Sequence, residues 1–546
     1  MNSLLIGTIA LFLLFLGYRF YGRIVERLWQ INPERKTPAI EKEDGVDYIP
    51  AKNWLILFGH HFASIAGAGP IIGPVIACCL WGWLPAVIWI VFGSIFLGGM
   101  HDFSALLISI RHGGKSIGDV AGSVVNYRTK IIFSLFLWLS LILVVAVFAA
   151  VGAQTLIAQP QVVIPTFGLI LDAILIGLMI YKWNFNQTIS TIIGIIILFG
   201  LIILGYYFPL SIPGGARSWI KVLLLYAFIA SVIPVNILLQ PRDYLSSFIL
   251  FFGLGFGYLG LAFTHPVIHT PAYIGWKTSE GFLWPMLCVI IACGAISGFH
   301  SLIASGTTAK QLPNERDSKK IGYGAMIAEG ALAILAVLAI SAGLYWTNSS
   351  GHLNLIYPEI MKKEGWIVAF GKGYGELTRP IFAGLGVFIG IMMLNAFAIT
   401  TLDSATRIAR YIEQELFGEG LKIKPLKNRY LSTLVIIAFS GWLALGNWKT
   451  IWPVFGAANQ LVAALALLIV SLYLLSKNRP VLYTLIPALF MLATTIVALI
   501  YQANNFFRSE QLLLGTVATI LLILSAFVIV ESGRIVRKKL SSLPQI

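Results

Sequence analysis

The sequence predicts an all-α protein that crosses a membrane about fifteen times. Three observations lead there: the hydropathy of the chain, the side on which its basic residues fall, and glycine- and proline-rich interruptions inside apolar runs. Of 546 residues, 58% are hydrophobic and 11% charged, with a mean hydropathy of +0.85. That balance lies outside the range of water-soluble domains. A bilayer core is spanned by about 20 apolar residues in a helix. By that measure the spans fall near 3–20, 52–80, 84–110, 130–155, 164–181, 188–208, 216–238, 243–264, 281–303, 323–345, 383–403, 431–447, 452–475, 480–500 and 511–530. The first lacks a basic leader and a small-residue cleavage site, so it is expected to be a retained helix.

Charge orients these spans. If the first begins outside, 29 of the 38 lysines and arginines flank or fill the loops on the opposite, cytoplasmic side and nine lie outside. The N-terminus is then outside and the C-terminus cytoplasmic. The same asymmetry accounts for the net charge of +15 without a nucleic-acid partner; the bilayer is the partner. Cys78, Cys79, Cys288 and Cys293 all fall within expected spans and read as small packing residues rather than a disulfide framework.

The second span would be about 43 Å long as one helix, against a core of about 30 Å. It contains "GHHFASIAGAGPIIGPVIACC", where Gly67, Ala68, Gly69, Pro70, Gly73 and Pro74 remove bulk and backbone donors near mid-membrane. Freed backbone groups are tolerated there only if buried in protein or lining a cavity. The break is therefore expected to face a site, with half-helix amides near Gly69 to Gly73 meeting an anionic group. A second interruption, "CGAISGFHSLIASGTTAKQLPNE", holds Ser297, His300, Ser301, Ser305, Thr307 and Thr308. A third, "SVIPVNILLQPRDYLSS", sets Pro234 and Pro241 around Asn236 and Gln240. Interrupted spans of this kind point to a transporter.

Span order allows two inverted repeats. A five-plus-five reading pairs breaks at 67–74 and 234–241; a seven-plus-seven reading pairs 67–74 with 294–306. The first is preferred, because the hydroxyls of Ser305, Thr307 and Thr308 would then face the unwound helix, an arrangement that resembles the sodium site of LeuT-type transporters. The expected divisions are an N-terminal helix and loop (1–50), a transport core (51–403) and C-terminal helices (404–546).

Intramembrane ionisable residues are functional candidates. His101 and Asp102, in "GGMHDFSALL", could form a proton relay with His60 and His61. Asp172 and Glu329 stand alone in apolar helices and are expected to cap buried polar networks. The substrate-binding set is thus His60, His61, Gly67, Ala68, Gly69, Gly73, Gln240, Ser297 and His300, and the ion-coupling set His101, Asp102, Ser305, Thr307 and Thr308. No bound metal or cofactor is expected. His60 and His61 diverge by about 100° on a helix, His265 and His269 lie in a proline-containing loop, and neither an H-E-x-x-H pattern nor a Walker A loop occurs. An enzyme would need a nucleophile or metal constellation that the sequence does not offer. A sensor would need an output domain, and the longest inner loops run only about 30 residues.

Six stretches carry a resemblance: "GHHFASIAGAGPIIGPVIA", "GGMHDFSALLISIRHGGKSIGD", "LLQPRDYLSSF", "CGAISGFHSLIASGTT", "TTLDSATRIARYI" and "FGAANQLVAALAL". In this order, from about residue 50 to 475, they are similar to the carbon starvation protein A (CstA) family. The resemblance implies an inner-membrane transporter of peptides, amino acids or pyruvate, proton-coupled in the pyruvate branch, with kinship to the amino acid, polyamine and organocation (APC) superfamily. It marks His60, His61, Gly67 to Gly73, Asp102, Gln240 to Asp243, Asp403, Asn459 and Gln460 as motif positions. Sodium remains an alternative coupling ion. The sequence departs from the better-known branch in "ACCLWGW" after the break and in His101 before the acid, so substrate choice does not transfer directly. Asp403 is read as the partner of Arg407, four residues on.

Overall fold

The computed structural model describes residues 2–347, 353–446 and 448–540. It is a helical protein whose β-structure, among those residues, is a two-residue hairpin at Lys277–Thr278 and Gly281–Phe282 with two isolated bridges. Thirteen helices there are long and apolar enough to cross a membrane. With the pieces of the two broken spans included, the main helices are α1 (Ser3–Trp29), α2 (Trp54–Ala66), α3 (Gly69–Trp81), α4 (Trp83–Ile110), α5 (Tyr127–Ala158), α6 (Pro160–Lys182), α7 (Gln187–Tyr207), α8 (Gly215–Val232), α9 (Leu239–Thr264), α10 (Leu283–Ile290), α11 (Gly298–Gly306), α12 (Glu315–Gly343), α13 (Trp366–Leu377), α14 (Arg379–Gly420), α15 (Arg429–Leu445), α16 (Val454–Ser476), α17 (Leu482–Arg508) and α18 (Leu512–Arg534).

Asparagines start several of these helices. Asn53, Asn126 and Asn186 each accept a backbone N–H of the first turn through the side-chain oxygen, satisfying donors that a helix start leaves orphaned. The expected span 431–447 is the 17-residue α15, with position 447 outside the described residues. The expected span 281–303 is two short helices joined by an irregular segment. Positions 541–546, the tail of the expected C-terminal division, also lie outside the described residues.

Two of the three expected breaks are present. α2 ends where Gly67 adopts φ +55° and ψ −160°, a backbone state that side chains rarely enter, and α3 restarts at Gly69 with Pro70 in its first turn. Between α10 and α11, Ile291–Ser297 is non-helical. The third is different: α8 stops at Val232 and α9 begins at Leu239, so Pro234 lies in the loop between two complete spans. Pro241 sits in the first turn of α9, where a missing N–H costs nothing. The five-plus-five pairing therefore lacks its second broken helix, and the broken spans are those that the seven-plus-seven pairing names.

The two breaks pack against each other. A Cβ on Gly69 would lie 2.5 Å from Cys293 Sγ, and one on Gly73 would lie 2.4 Å from the Ile290 carbonyl oxygen. Only residues without side chains allow such an approach. α16, the most buried span, closes over the second break, with Gly298 against the Asn459 backbone.

Candidate functional site

Above the crossed breaks lies a cavity of about 360 Å³ whose lining includes Gly69, Cys293, Asn459, Trp366, Trp452 and Gln502. Its floor is held by Asn459. That amide accepts the Phe299 N–H at 2.7 Å, so it caps α11 from a neighbouring helix, while its nitrogen donates to Ser297 Oγ at 2.9 Å. Ser297 itself makes no capping bond.

From His300, the neighbour of the Phe299 that Asn459 caps, runs a chain of buried ionisable groups. His101 Nδ1 lies 2.8 Å from Asp102 Oδ1, Asp102 Oδ2 lies 2.8 Å from His300 Nδ1, and His300 Nε2 lies 3.2 Å from Glu329 Oε2. The last contact has ion-pair distance without hydrogen-bond alignment, so His300 Nε2 and both Glu329 oxygens remain without a hydrogen-bond partner, as does His101 Nε2 at the other end of the row. A histidine between two carboxylates can donate through both nitrogens only when doubly protonated. Four titratable side chains from α4, α11 and α12 are thus in line, and a proton added at one end alters every contact along the row.

A second buried network lies beside α2. Arg242 bridges Asp243 and Asp403: Nε donates to Asp243 Oδ1 at 3.0 Å and Nη2 to Asp403 Oδ1 at 3.0 Å, and further close contacts join it to both carboxylates. The Tyr226 hydroxyl accepts from Arg242 at 2.6 Å and donates to Asp403 at 2.5 Å. His60 Nδ1 faces Asp243 Oδ2 at 2.6 Å, with Ser64 donating to the same oxygen at 3.0 Å. Gln311 Nε2 donates to His60 Nε2 at 3.1 Å, which assigns the His60 proton to Nδ1.

These contacts rearrange the residues expected from sequence. Neighbours on a helix point about 100° apart, and His61 accordingly meets Thr308 Oγ1 at 2.8 Å while His60 meets Asp243. Neither has a hydrogen bond to Asp102, whose second histidine is His300. Asp403 pairs with Arg242, whereas Arg407 turns to Asp47 at 2.8 Å. Ser305 donates to the Ser301 carbonyl at 2.6 Å and accepts from Ile117 N, away from α2, whereas Thr307 Oγ1 donates to the Ile303 carbonyl at 3.3 Å and lies 3.4 Å from His60 Nε2, so Thr307 and Thr308 face the histidines of α2. Gln240 is engaged with Tyr181, Gln311 and the Ile49 carbonyl. Of the expected substrate contacts, Gly69 lines the cavity; Gly67 packs on Phe148 and Thr401, and Ala68 and Gly73 are buried in the crossing. Sequence reasoning did not single out Gln502, which carries no motif, and it undervalued Glu329, whose isolation in an apolar helix was the available signal.

At the opposite end, Asp47 accepts from Arg407 at 2.8 Å, Arg410 at 3.0 Å and Tyr411 at 2.6 Å, tying the loop before α2 to α14. Lys310 stands 3.5 Å from the Tyr411 ring centroid. Burial alone would raise the Asp47 carboxyl, but Arg410, Arg407 and Lys310 outweigh it and hold it well below the usual carboxylate range. A group depressed in this way stabilises the fold above its unfolded value of about 4 and loses that contribution as pH falls. Asp47→Asn is expected to cost on the order of 3 kcal/mol near neutrality. Melting curves against pH should show the difference from wild type shrinking below about pH 4.

A profile described as carbon starvation protein CstA matches residues 2–355 and 356–498. The chain belongs to that family. This CstA-family chain is 32% identical over 569 residues to the peptide transporter CstA of Campylobacter jejuni, covering 90% of this chain and 79% of the relative. It is 31% identical over 592 residues to the peptide transporter CstA of Bacillus subtilis, covering 97% and 96%. To the pyruvate/proton symporter BtsT of Escherichia coli it is 30% identical over 586 residues, covering 91% and 81%. Among solved structures, that of Eremococcus coleocola manganese transporter in complex with an aromatic bis-isothiourea substituted compound aligns with a TM-score of 0.51 at 13% identity, over 90% of this chain and 99% of that one. At that identity the likeness is one of fold. In the CstA-family chain no group of three or more His, Cys, Asp or Glu side chains is placed to share a metal ion, among the described residues. The protein is a multi-pass membrane protein whose relatives are named as transporters.

Proposed function

We propose that this CstA-family chain is a secondary active transporter that imports small carboxylate-bearing nutrients (peptides, amino acids or pyruvate) by proton-coupled symport. Its site would alternate between the two faces of the inner membrane. The observation that carries this reading is the connection between a cavity lined by two crossed half-helices and a buried His101–Asp102–His300–Glu329 row, made through Asn459, which lines the cavity and caps the helix that carries His300. The cavity mouth includes Glu280, Met361 and Trp366, from connections that the basic-residue asymmetry assigns to the outside. The Asp47 clamp lies on the other side, so the arrangement corresponds to an outward-facing state with its inner gate closed. The core is read as an inverted repeat. The fold likeness keeps an APC-type relationship open, while the positions of the breaks favour the seven-span offset. Sodium is the second ion: Ser305 and Thr307 donate their protons to the Ser301 and Ile303 carbonyls, which leaves oxygen lone pairs able to accept a cation, and Thr307 and Thr308 face His60 and His61 of the broken helix.

The test is uptake of labelled pyruvate and labelled alanyl-alanine into proteoliposomes under an imposed proton gradient, a sodium gradient, or neither. Accumulation above equilibrium under the proton gradient alone is expected; accumulation only with sodium would reassign the ion, and none under any gradient would end the symport reading. Gly69→Leu is expected to abolish binding, because its first side-chain carbon already meets Cys293 and pushes the two breaks apart. Wild-type affinity in that variant, measured by equilibrium binding, would return the crossing to a packing role.

A further inference from the structure

The cavity is polarised from end to end. At its floor is the first turn of the 13-residue α3, where Ile71 and Ile72 donate to the Ala68 carbonyl and Pro70 has no N–H, so the Gly69 N–H and the helix dipole present the partial positive charge. At its mouth stand the exposed Glu280 carboxylate and the stacked rings of Trp366 and Trp452, with centroids 6.4 Å apart, faces suited to an ammonium group. Among the described lining residues there is no Lys, Arg or His. Gln502 of α17 also lines the cavity; it is 4% exposed, and both its amide oxygen and its amide nitrogen lack any hydrogen-bond partner. A buried amide left unpaired on both sides is costly, and the group that matches it is another amide, which accepts at C=O and donates at N–H.

We propose that Gln502 is the specificity-determining residue of this cavity and reads the peptide bond of a short, free-amine peptide held with its carboxylate toward the Gly69 N–H at the start of α3 and its ammonium toward Glu280 and the tryptophans. The assignment rests on the transport reading above and narrows its substrate class. A lone 2-oxo monocarboxylate occupies the floor but leaves Gln502 and the mouth unused. Discrimination of this kind is strong because a ligand lacking the amide leaves the site's own polar atoms unsatisfied.

The experiment compares equilibrium binding of alanyl-alanine, its ester isostere with oxygen in place of the amide N–H, N-acetyl-alanyl-alanine, and pyruvate to the purified full-length protein, wild type and Gln502→Met. Methionine keeps the volume, and a melting curve confirms that the variant is folded. Wild type should bind the dipeptide at least tenfold tighter than the ester or the N-acetyl form. Gln502→Met should reduce the amide-over-ester ratio to about one, with pyruvate affinity unchanged. Gln502→Glu, which keeps an acceptor, should restore part of the ratio if Gln502→Met lowers stability. An unchanged ratio in Gln502→Met, a loss of pyruvate binding equal to the loss of dipeptide binding, or no dipeptide binding by wild type would each overturn the assignment. Uptake measured in parallel separates the two readings: an unchanged ratio with intact accumulation rejects Gln502 alone, while Gln502-dependent binding without accumulation rejects transport alone.

Discussion

Asp102→Asn is expected to leave the protein folded and inserted but unable to concentrate substrate, so that the inside-to-outside ratio under a proton gradient falls to about one. Asp102 is the centre of the buried row: each carboxylate oxygen faces a different histidine, at 2.8 Å in both cases. An asparagine keeps the shape but offers one acceptor and one donor, so it can face at most one of the two imidazoles as Asp102 does, and it cannot change charge. The row is then cut at its centre, with His101 on one side and His300 and Glu329 on the other, so a proton added at one end no longer alters the contacts at the other, whereas the residues that line the cavity are unchanged. Counterflow, in which labelled substrate exchanges for unlabelled without a gradient, should persist at a substantial fraction of the wild-type rate. Gradient-driven accumulation at the wild-type level would remove the row from the coupling mechanism. Glu329→Gln should behave similarly, because the row ends on a carboxylate with no other hydrogen-bond partner.

Arg242→Leu is expected to give the largest loss of stability of any single change discussed, about 3–5 kcal/mol or more. The guanidinium is the shared cation of two buried carboxylates, Asp243 and Asp403, and its removal leaves Asp403 with the neutral Tyr226 hydroxyl and Asp243 with His60 and Ser64, two buried acids without their full positive charge. Expression and melting temperature in detergent are the readouts. Adding Asp403→Leu and Asp243→Asn to Arg242→Leu should recover much of the loss, since a buried ion pair is often no more stabilising than a well-packed apolar replacement. A single variant melting with wild type would mean that the network is hydrated rather than buried.

Much of the helical layout was legible because span length and hydropathy leave few alternatives in a bilayer, and Gly67 to Pro74 is too dense in helix-breaking residues to be continuous. Pro234 and Pro241 misled for a physical reason: a proline in a helix's first turn and a proline that breaks a helix are the same residue in the same apolar surroundings. Which case holds depends on whether Ile233–Leu238 is loop, and loop residues buried at a helix junction keep an apolar composition. The site was legible in its members and much less in its pairings. His101, Asp102, His300 and Glu329 each stand out as polar groups in apolar helices. Their alignment depends on how α4, α11 and α12 rotate about their axes, which no local pattern encodes. Asp403 shows the same limit: Arg407 is four residues away on the same helix, yet Arg242, 161 residues distant, is its partner.

The two ionic networks have different histories during synthesis. Arg242 and Asp243 are adjacent in the chain, so they enter the translocon already neutralising one another, and Asp403 joins them only after several further spans have been made. Asp47 waits longer, because its partner Arg407 is 360 residues downstream. It waits in a polar loop, in water, rather than in lipid. Biogenesis therefore never strands an isolated charge in the bilayer at these positions, and the Asp47 clamp closes only after α14 is made, with the α15 to α18 helices still to follow.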